Sequence, residues 1–388
     1  MGRRIVGGIA IGVAAAAGAA ALAAASLSVI VARTVIIPPS RRTEDVTILS
    51  LDLAAGTIVL SSNADSRLAG EYSFWFANEA GHARLGEIIT SDDDTVTREV
   101  LGVDFGDLAA ARRGRMSGWF HLSPRDLGYP YRDVAIETPL GTAPAWLIPA
   151  AGDLAKRWVI NVHGRGVRRS ETLRAVEPFR DAGYTSLLVS YRNDGDAPRS
   201  DDYRYALGDR EWRDIEPAMQ YAIDHGAEEL VLMGWSMGGA TVLQALTRSP
   251  LGAKVIGIVL ESPVVDWITT LDFQAAIRGL PAIVRWGVLQ LFSRPWGRLF
   301  TGLAEPLDLD RLDFVRRSRD LDRPILIMHS DDDGFVPSTA SRALAVARPD
   351  IVTYEAFDVA RHTKLWNYDR TRWVGAIRDW LEGLQAAR

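Results

Sequence analysis

The sequence predicts an α/β protein: a mostly parallel sheet with helices on both faces, carrying an inserted cap and preceded by a small β-rich domain and an N-terminal transmembrane helix. Three observations carry this expectation. From Tyr131 onward, short continuous apolar runs alternate with helical stretches, the pattern of parallel strands buried on both faces. Between Asp45 and about Tyr129 the runs are β-rich and separated by turn signals. Ile5 to Ala32 contains no charged residue. The expected division is an anchor at 1–37, a linker at 38–44, a β-rich domain at 45–130, and an α/β domain at 131–388 with a cap at about 263–323.

As a helix, at ~1.5 Å per residue, the uncharged run reaches roughly 40 Å. A bilayer core of about 30 Å needs only some 20 residues. Much of the run is Ala and Gly, which insert weakly, so Ile5, Val6, Ile9, Leu22, Leu27 and Ile30 are among the residues that supply the drive. A cleaved signal peptide, with Ala23-Ala24-Ala25 as its cleavage site, is the competing reading and would give a secreted protein. The apolar run continues past that site, which favours an anchor held in a lipid bilayer, with the folded domains expected outside the cytoplasm. Arg3 and Arg4 on one side face Arg33, Arg41 and Arg42 on the other, so charge alone does not orient the helix. A buried helix of a soluble protein would be unusual at this length and position. Pro38-Pro39-Ser40-Arg41-Arg42 cannot continue the helix and reads as a linker.

In the β-rich domain, strands are expected at 46–53, 57–61, 72–76 and 85–90, with turns at Ala55-Gly56, Glu79-Ala80-Gly81 and Asp92-Asp93-Asp94. The acidic triplet lacks the spacing and closing Glu of an EF-hand, so it reads as a solvated turn. In the α/β domain, 134–137 and 145–148 flank Pro139-Leu140-Gly141 as a hairpin. Further strands are expected at 158–163, 186–191, 230–235, 255–261, 325–329 and 351–357, and a terminal amphipathic helix at about 369–384.

Composition removes several function classes. The net charge of −5 is small for 388 residues and no basic stripe with interleaved aromatics occurs, so no nucleic-acid partner is expected. The absence of cysteine excludes disulfides, thiolate nucleophiles and Cys-ligated zinc. His82, His121 and His225 fall in turns or surface segments and His329 ends a strand. No pair has zinc-ligand spacing with a suitable partner, so neither a metal nor a cofactor is expected.

Ligands of such sheets bind outside the carboxyl ends of the strands, so a candidate residue should follow a strand. Ser236 does, in Gly234-Trp235-Ser236-Met237-Gly238, between the strand 230–235 and a segment suited to a helix. A serine hydroxyl becomes a nucleophile only when an adjacent base takes its proton. His362, in the loop after the last strand, is the natural base because imidazole titrates near neutrality. A carboxylate to orient it comes from Asp331, Asp332 or Asp333, in the loop after 325–329. Asp266, after 255–261, is a further possibility. The Met237 backbone N–H, directly after the nucleophile, is suited to stabilise a developing oxyanion.

With these residues in hand, the chain from about Tyr131 to its end resembles the α/β-hydrolase superfamily. The resemblance rests on Gly-Trp-Ser-Met-Gly-Gly at 234–239, Asn161-Val162-His163-Gly164 after an early strand, His329 to Pro337 as a His-x-x-x-Asp-x-x-Val-Pro loop, and His362. It implies Asp333 as the acid, with Asp266 the outside candidate, and the Arg165 backbone N–H as the second oxyanion donor. The glycine-only version of the loop after His163 is absent, a departure from hormone-sensitive-lipase-like esterases. His163 reads as a structural residue of that loop. Arg165, Arg168 and Arg169 read as a solvated loop, with attraction of an acidic substrate as the alternative.

The segment between Pro263 and Arg323 is too long for a simple connection and reads as the cap. Its Trp267, Phe273, Trp286, Leu289 and Phe292 could line an acyl or aromatic pocket, hold the cap in place or meet a membrane. The expected activity is hydrolysis of a small-molecule carboxylic ester through an acyl-enzyme. Cleavage of a peptide amide is the nearest rival, and a non-catalytic binding protein on the same fold is the alternative of another class.

Overall fold

The computed structural model describes residues 2–151 and 156–386, and its strands fall into a barrel and an open sheet. Strands β1 (Val46–Asp52), β2 (Thr57–Ser61), β3 (Tyr72–Phe76), β4 (Gly81–Ser91), β5 (Thr95–Phe105) and β6 (Arg113–Ser117) close into an antiparallel barrel of order β1-β2-β5-β4-β3-β6. Ile58, Leu60, Phe74, Phe76 and Leu85 fill it. Two of these strands escape the sequence pattern. On β5 the position that should carry an inward apolar residue is Arg98, which is fully buried and donates to the carbonyls of Ser66, Gly70 and Gly86 at 3.1, 2.9 and 2.6 Å. On β6, Gly114 leaves room for the Phe74 ring, which a Cβ would strike.

The second sheet contains β7 (Arg132–Thr138), β8 (Gly141–Ile148), β9 (Arg157–Val162), β10 (Thr185–Val189), β11 (Glu229–Trp235), β12 (Val255–Glu261), β13 (Ile325–Ser330) and β14 (Val352–Phe357). Their order is β14-β13-β12-β11-β9-β10-β8-β7. The strands from β10 through β9 to β14 are parallel, while β7 and β8 form the antiparallel edge. Alternate residues of the central strands enter different cores. Leu230 and Leu232 pack with Ile215 and Met219 on one face; Val231 and Met233 pack with Phe179, Trp373 and Ile377 on the other. This is an α/β-hydrolase fold.

The helix Gly2–Ile36 is long and apolar enough over Gly18–Ile36 to cross a membrane, properties that a signal sequence shares. It also packs on the cap, whose main helices are Trp267–Ile277 and Ala282–Ser293. Ser28 Oγ donates to the Val284 carbonyl at 3.1 Å, a contact made close by Gly287, whose missing Cβ would meet Ser28. The expected cap residues divide. Trp267 and Phe292 are buried, Phe273 is half-buried and Leu289 is packed against the core, whereas Trp286 is 58% exposed beside the N-terminal helix.

The barrel is seated on the open sheet's carboxyl edge through two glycines. A Cβ on Gly118 would lie 2.5 Å from the Thr363 carbonyl, and one on Gly70 would collide with the Asn367 carbonyl. Asn367 Nδ2 in turn donates to the Glu71 carbonyl at 2.8 Å.

Candidate active site

Ser236 stands between β11 and the helix Met237–Arg248 with φ 51° and ψ −117°. A non-glycine residue in this region costs of order 1–3 kcal/mol and needs a surrounding structure that imposes it. The neighbouring glycines supply the room. A Cβ on Gly234 would lie 2.5 Å from the Gly238 carbonyl, one on Gly238 would run into Val162 O and lie 2.5 Å from His163 O, and one on Gly239 would lie 2.7 Å from Pro263 Cβ. The Ser236 amide donates to Glu261 O at 3.1 Å and its carbonyl accepts from Val264 N at 3.0 Å, tying the turn to the end of β12.

The turn aims the hydroxyl at His362, with Ser236 Oγ 3.0 Å from Nε2, and His362 Nδ1 lies 2.7 Å from Asp333 Oδ2. A carboxylate can only accept, so Nδ1 donates to Asp333 and Nε2 is left to accept the serine proton. The other oxygen of Asp333 accepts from the amides of Phe335 and Val336, both at 2.8 Å. His329, which ends its strand and opens the His-x-x-x-Asp loop motif, was given no role by the sequence reading, yet its Nε2 lies 3.3 Å from Asp333 Oδ2. Burial works against ionisation of Asp333, but His362 and His329 outweigh it and hold the carboxyl well below the usual carboxylate range.

The remaining carboxylates have other partners. Asp331 pairs with Arg342, Asp332 accepts from Ser330 Oγ and the Arg361 amide, and Asp266 caps the helix Trp267–Ile277 through the amides of Ile268 and Thr269. His362 itself sits between two non-glycine residues of positive φ, Arg361 at 60° and Thr363 at 51°. That conformation is held by Thr363 N donating to Ser262 Oγ at 3.2 Å and by Arg174 Nη1 donating to Thr363 O at 2.8 Å.

The loop after β9 lies against the serine, since a Cβ on Gly164 would sit 3.4 Å from Ser236 Cβ. Carboxylates occupy the amides on either side of Arg165: Gly164 N donates to Glu171 Oε2 at 2.7 Å and Gly166 N to Asp194 Oδ2 at 2.9 Å. The Arg165 amide has no such acceptor among the described residues. Burial pushes both carboxyls up, Asp194 to about 7. His163 has its Nδ1 2.8 Å from Gly164 O and stacks on Tyr191 at 4.3 Å, so it braces the loop. Burial lowers its pKa to about 4. The expectation of a solvated arginine loop holds only for exposed Arg168. Arg165 donates to Val35 O at 2.9 Å, and Arg169 lies over the Trp146 ring at 4.2 Å.

Ser236 and His362 open on a cleft of about 390 Å³ that the α/β domain does not complete alone. Asp65, Arg115, Met116 and Ser117 of the barrel and Arg42 of the linker also line it. Sequence reasoning missed these residues because none belongs to a chemical motif.

The barrel holds a second grouping of the same residue types. His82, expected in a turn, is instead fully buried on β4, with Nδ1 2.8 Å from Asp104 Oδ2 and Nε2 2.7 Å from Ser73 Oγ. Ser73 is fully buried and hydrogen-bonded to the Trp119 carbonyl at 2.5 Å, and the His82 ring centroid lies 4.4 Å from that of Trp75. No substrate carbonyl can reach that hydroxyl, so this grouping is internal packing of the barrel. His121, also expected in a turn or at the surface, is wedged between Phe120 and Trp366, and burial lowers its pKa to about 4. No group of three or more His, Cys, Asp or Glu suited to a metal occurs among the described residues.

Comparison with known families matches residues 159–376 to a model described as the alpha/beta hydrolase family and residues 47–117 to one described as a domain of unknown function. Among solved structures, an esterase of Pyrococcus furiosus is similar in two crystal forms. One is 18% identical, with 68% of this chain and 94% of that chain covered and a TM-score of 0.52. The other is 19% identical, with 68% and 93% covered and a TM-score of 0.51. A puromycin-hydrolyzing peptidase of Mycobacterium tuberculosis is 19% identical, with 85% of this chain and 45% of that chain covered and a TM-score of 0.49. No curated protein matches the chain.

Proposed function

Because the chain belongs to the alpha/beta hydrolase family, we propose that it is a membrane-anchored serine hydrolase that cleaves carboxylic esters through an acyl-enzyme. The observation that carries the reading is the continuous relay from Ser236 Oγ to His362 Nε2 at 3.0 Å and from His362 Nδ1 to Asp333 Oδ2 at 2.7 Å. Ser236 Oγ attacks the ester carbonyl while His362 takes its proton, and Asp333 orients the imidazole and stabilises the imidazolium. The amides of Met237 and Arg165 receive the oxyanion, each such donor being worth about 3 kcal/mol in the transition state. His362 returns the proton to the leaving alcohol, and a water molecule deprotonated by the same imidazole releases the acid.

Ester cleavage is favoured over aminopeptidase chemistry by the state of the two carboxylates lining the cleft. Asp65 is paired with Lys364 at 2.7 Å and Glu171 accepts from Gly164 N, so neither is free to hold the ammonium of a peptide N-terminus. The anchor is the helix Gly2–Ile36. An extracytoplasmic catalytic body is part of this proposal, on the reading of the N-terminal apolar run as an uncleaved export signal and not on its flanking charges.

The test is labelling of the detergent-solubilised full chain with a fluorophosphonate. Covalent label on Ser236 that is lost in Ser236→Ala is expected, together with turnover of p-nitrophenyl esters well above that of aminoacyl anilides. A folded protein that neither labels nor turns over either panel is a non-catalytic member of the fold.

A further inference from the structure

Two cavities meet at the active site. The catalytic cleft and an apolar slot of about 330 Å³ share Arg165 and Phe335 in their walls. Phe335 stands beside the relay, its ring centroid 5.1 Å from that of His362. One wall of the slot is the N-terminal helix, through Leu27, Val31 and Val35, and the other is the cap, through Leu271, Ala275 and Val288. Gln274 of the cap donates to the carbonyls of Gly334 and Phe335 at 3.1 and 2.7 Å, which fixes the slot to the loop that carries Asp333.

The cleft has the opposite character. Arg42, Arg115, Arg165, Arg361 and Lys364 line it, against Asp65 and Glu171 in its wall and Glu79, which pairs with Arg115 at 2.6 Å from outside it. Glu171 is fully enclosed and bonded to the Gly164 amide, and Asp65 is shared between Lys364 and Arg361. The cleft therefore presents excess positive charge next to the nucleophile, with an apolar channel leading away from it.

The position of the slot suits a ligand drawn from a membrane. From Ala21 onward the helix lies along the cap. The uncharged stretch from Ile5 to Ala20 measures about 24 Å at ~1.5 Å per residue, which with Arg3 and Arg4 at its far end approaches a bilayer core of about 30 Å. A helix spanning to that point sets the outer side of the cap at the membrane surface. There Trp286, Trp296, Leu299 and Phe300 are 58%, 50%, 85% and 49% exposed, an apolar and aromatic face suited to an interface.

We infer that the substrate is an anionic amphiphile, an ester whose long acyl chain lies in the slot between the N-terminal helix and the cap and whose phosphate or carboxylate headgroup lies against the cations of the cleft. The inference rests on the serine-hydrolase reading and adds the substrate class. In the first step the Ser236 Oγ to carbonyl carbon bond forms, the bond to the headgroup oxygen breaks, and that oxygen takes the proton held by His362. In the second, water adds its oxygen to the acyl carbon, its proton passes through His362 to Ser236, and the fatty acid leaves.

The experiment measures kcat/KM of the full chain in detergent for 1-lauroyl-glycerol 3-phosphate, O-lauroyl lactate, neutral 1-lauroyl-glycerol and 1-acetyl-glycerol 3-phosphate. At least one anionic lauroyl ester is expected to exceed both the neutral lauroyl and the anionic acetyl ester by about tenfold or more, about 1.4 kcal/mol of selectivity each. Which anionic ester leads distinguishes a phosphate from a carboxylate headgroup. Ala275→Trp, which fills the slot, should lower the lauroyl-to-acetyl ratio about tenfold, and Arg115→Gln should lower the anionic-to-neutral ratio severalfold. As a check that needs no variant, the KM of a soluble hexanoyl ester of glycerol 3-phosphate should rise with added NaCl while that of hexanoyl-glycerol does not. A wild-type enzyme that labels with fluorophosphonate yet shows no preference for charge or chain length overturns the inference and leaves the hydrolase reading standing. Absence of labelling and of all turnover removes both.

Discussion

Lys364 Nζ lies 2.7 Å from Asp65 Oδ2, an ion pair between the barrel and the loop that carries His362. Arg361, on the other side of His362, reaches Asp65 Oδ1 at 3.4 Å. One barrel carboxylate thus spans His362, in a loop whose two positive-φ residues need outside support. Asp65→Asn should lower kcat about tenfold, about 1.4 kcal/mol, with a smaller effect on KM. Burial works against the Asp65 charge, but Lys364 and Arg361 keep its pKa below the ordinary value. A depressed folded pKa contributes stability that is present above the unfolded value of 3.8 and lost as pH falls through the folded one. Thermal melts at neutral pH and below pH 4 should therefore converge between wild type and variant on the acid side. An Asp65→Asn enzyme with wild-type kcat would separate the barrel from catalysis.

Gly118 tests the same junction by size instead of charge. Its Cβ would lie 2.5 Å from Thr363 O, 2.9 Å from Asn367 Oδ1 and 3.1 Å from Arg174 Nη1, all on or against the histidine loop. Gly118→Ala should push that loop away from Ser236. A drop of at least tenfold in kcat/KM is expected, with a Tm loss of only a few degrees. Full activity in Gly118→Ala would show that the loop yields without cost.

What was legible in the sequence follows from how each part is encoded. The central strands are continuous apolar runs, and the run at 255–261 coincides with β12 because both faces of that strand are buried. Ser236 and Asp333 each follow such a strand and His362 follows the half-buried edge strand β14, so topology carries all three to one edge of the sheet. The barrel was half legible. Arg98 turned inward on β5, and Gly114 yielding to a phenyl ring on β6, are tertiary solutions with no local periodicity. The support given by Asp65 depends on long-range contacts, whereas His329 lies only four residues from Asp333, within the loop motif. The cationic cleft was hidden because its residues come from the linker, the barrel and two loops.

Asp194 offers a test, through pH, of the loop proposed to hold the oxyanion. Its carboxylate accepts from Gly166 N at 2.9 Å and from Tyr205 Oη, and burial pushes its pKa up to about 7. A folded pKa above the unfolded one means that the fold prefers the protonated acid. The cost of ionising it sets in as pH rises above 3.8 and is complete above about 7. Asp194→Asn keeps the acceptor oxygen without that charge. Its Tm should therefore gain on the wild type by several degrees between pH 5 and pH 8, and a constant difference across that range would refute the assignment.

The identity of the acid can be decided by two variants. Asp333 accepts from His362 Nδ1 at 2.7 Å, whereas Asp266, which also follows a strand, spends its oxygens on the amides of Ile268 and Thr269 at 2.8 and 3.0 Å. Asp333→Asn keeps the shape but lets the amide favour the wrong imidazole tautomer, so kcat should fall by about 10³ to 10⁴ with folding intact. Asp266→Ala removes a helix cap, a loss of about 1 kcal/mol, visible as a Tm decrease of about 2–4 °C with kcat within a few-fold of wild type. Steady-state kinetics on a soluble p-nitrophenyl ester and melting curves separate the two effects. The reverse pattern, with activity lost in Asp266→Ala and retained in Asp333→Asn, would move the acid from the loop after β13 to the one after β12.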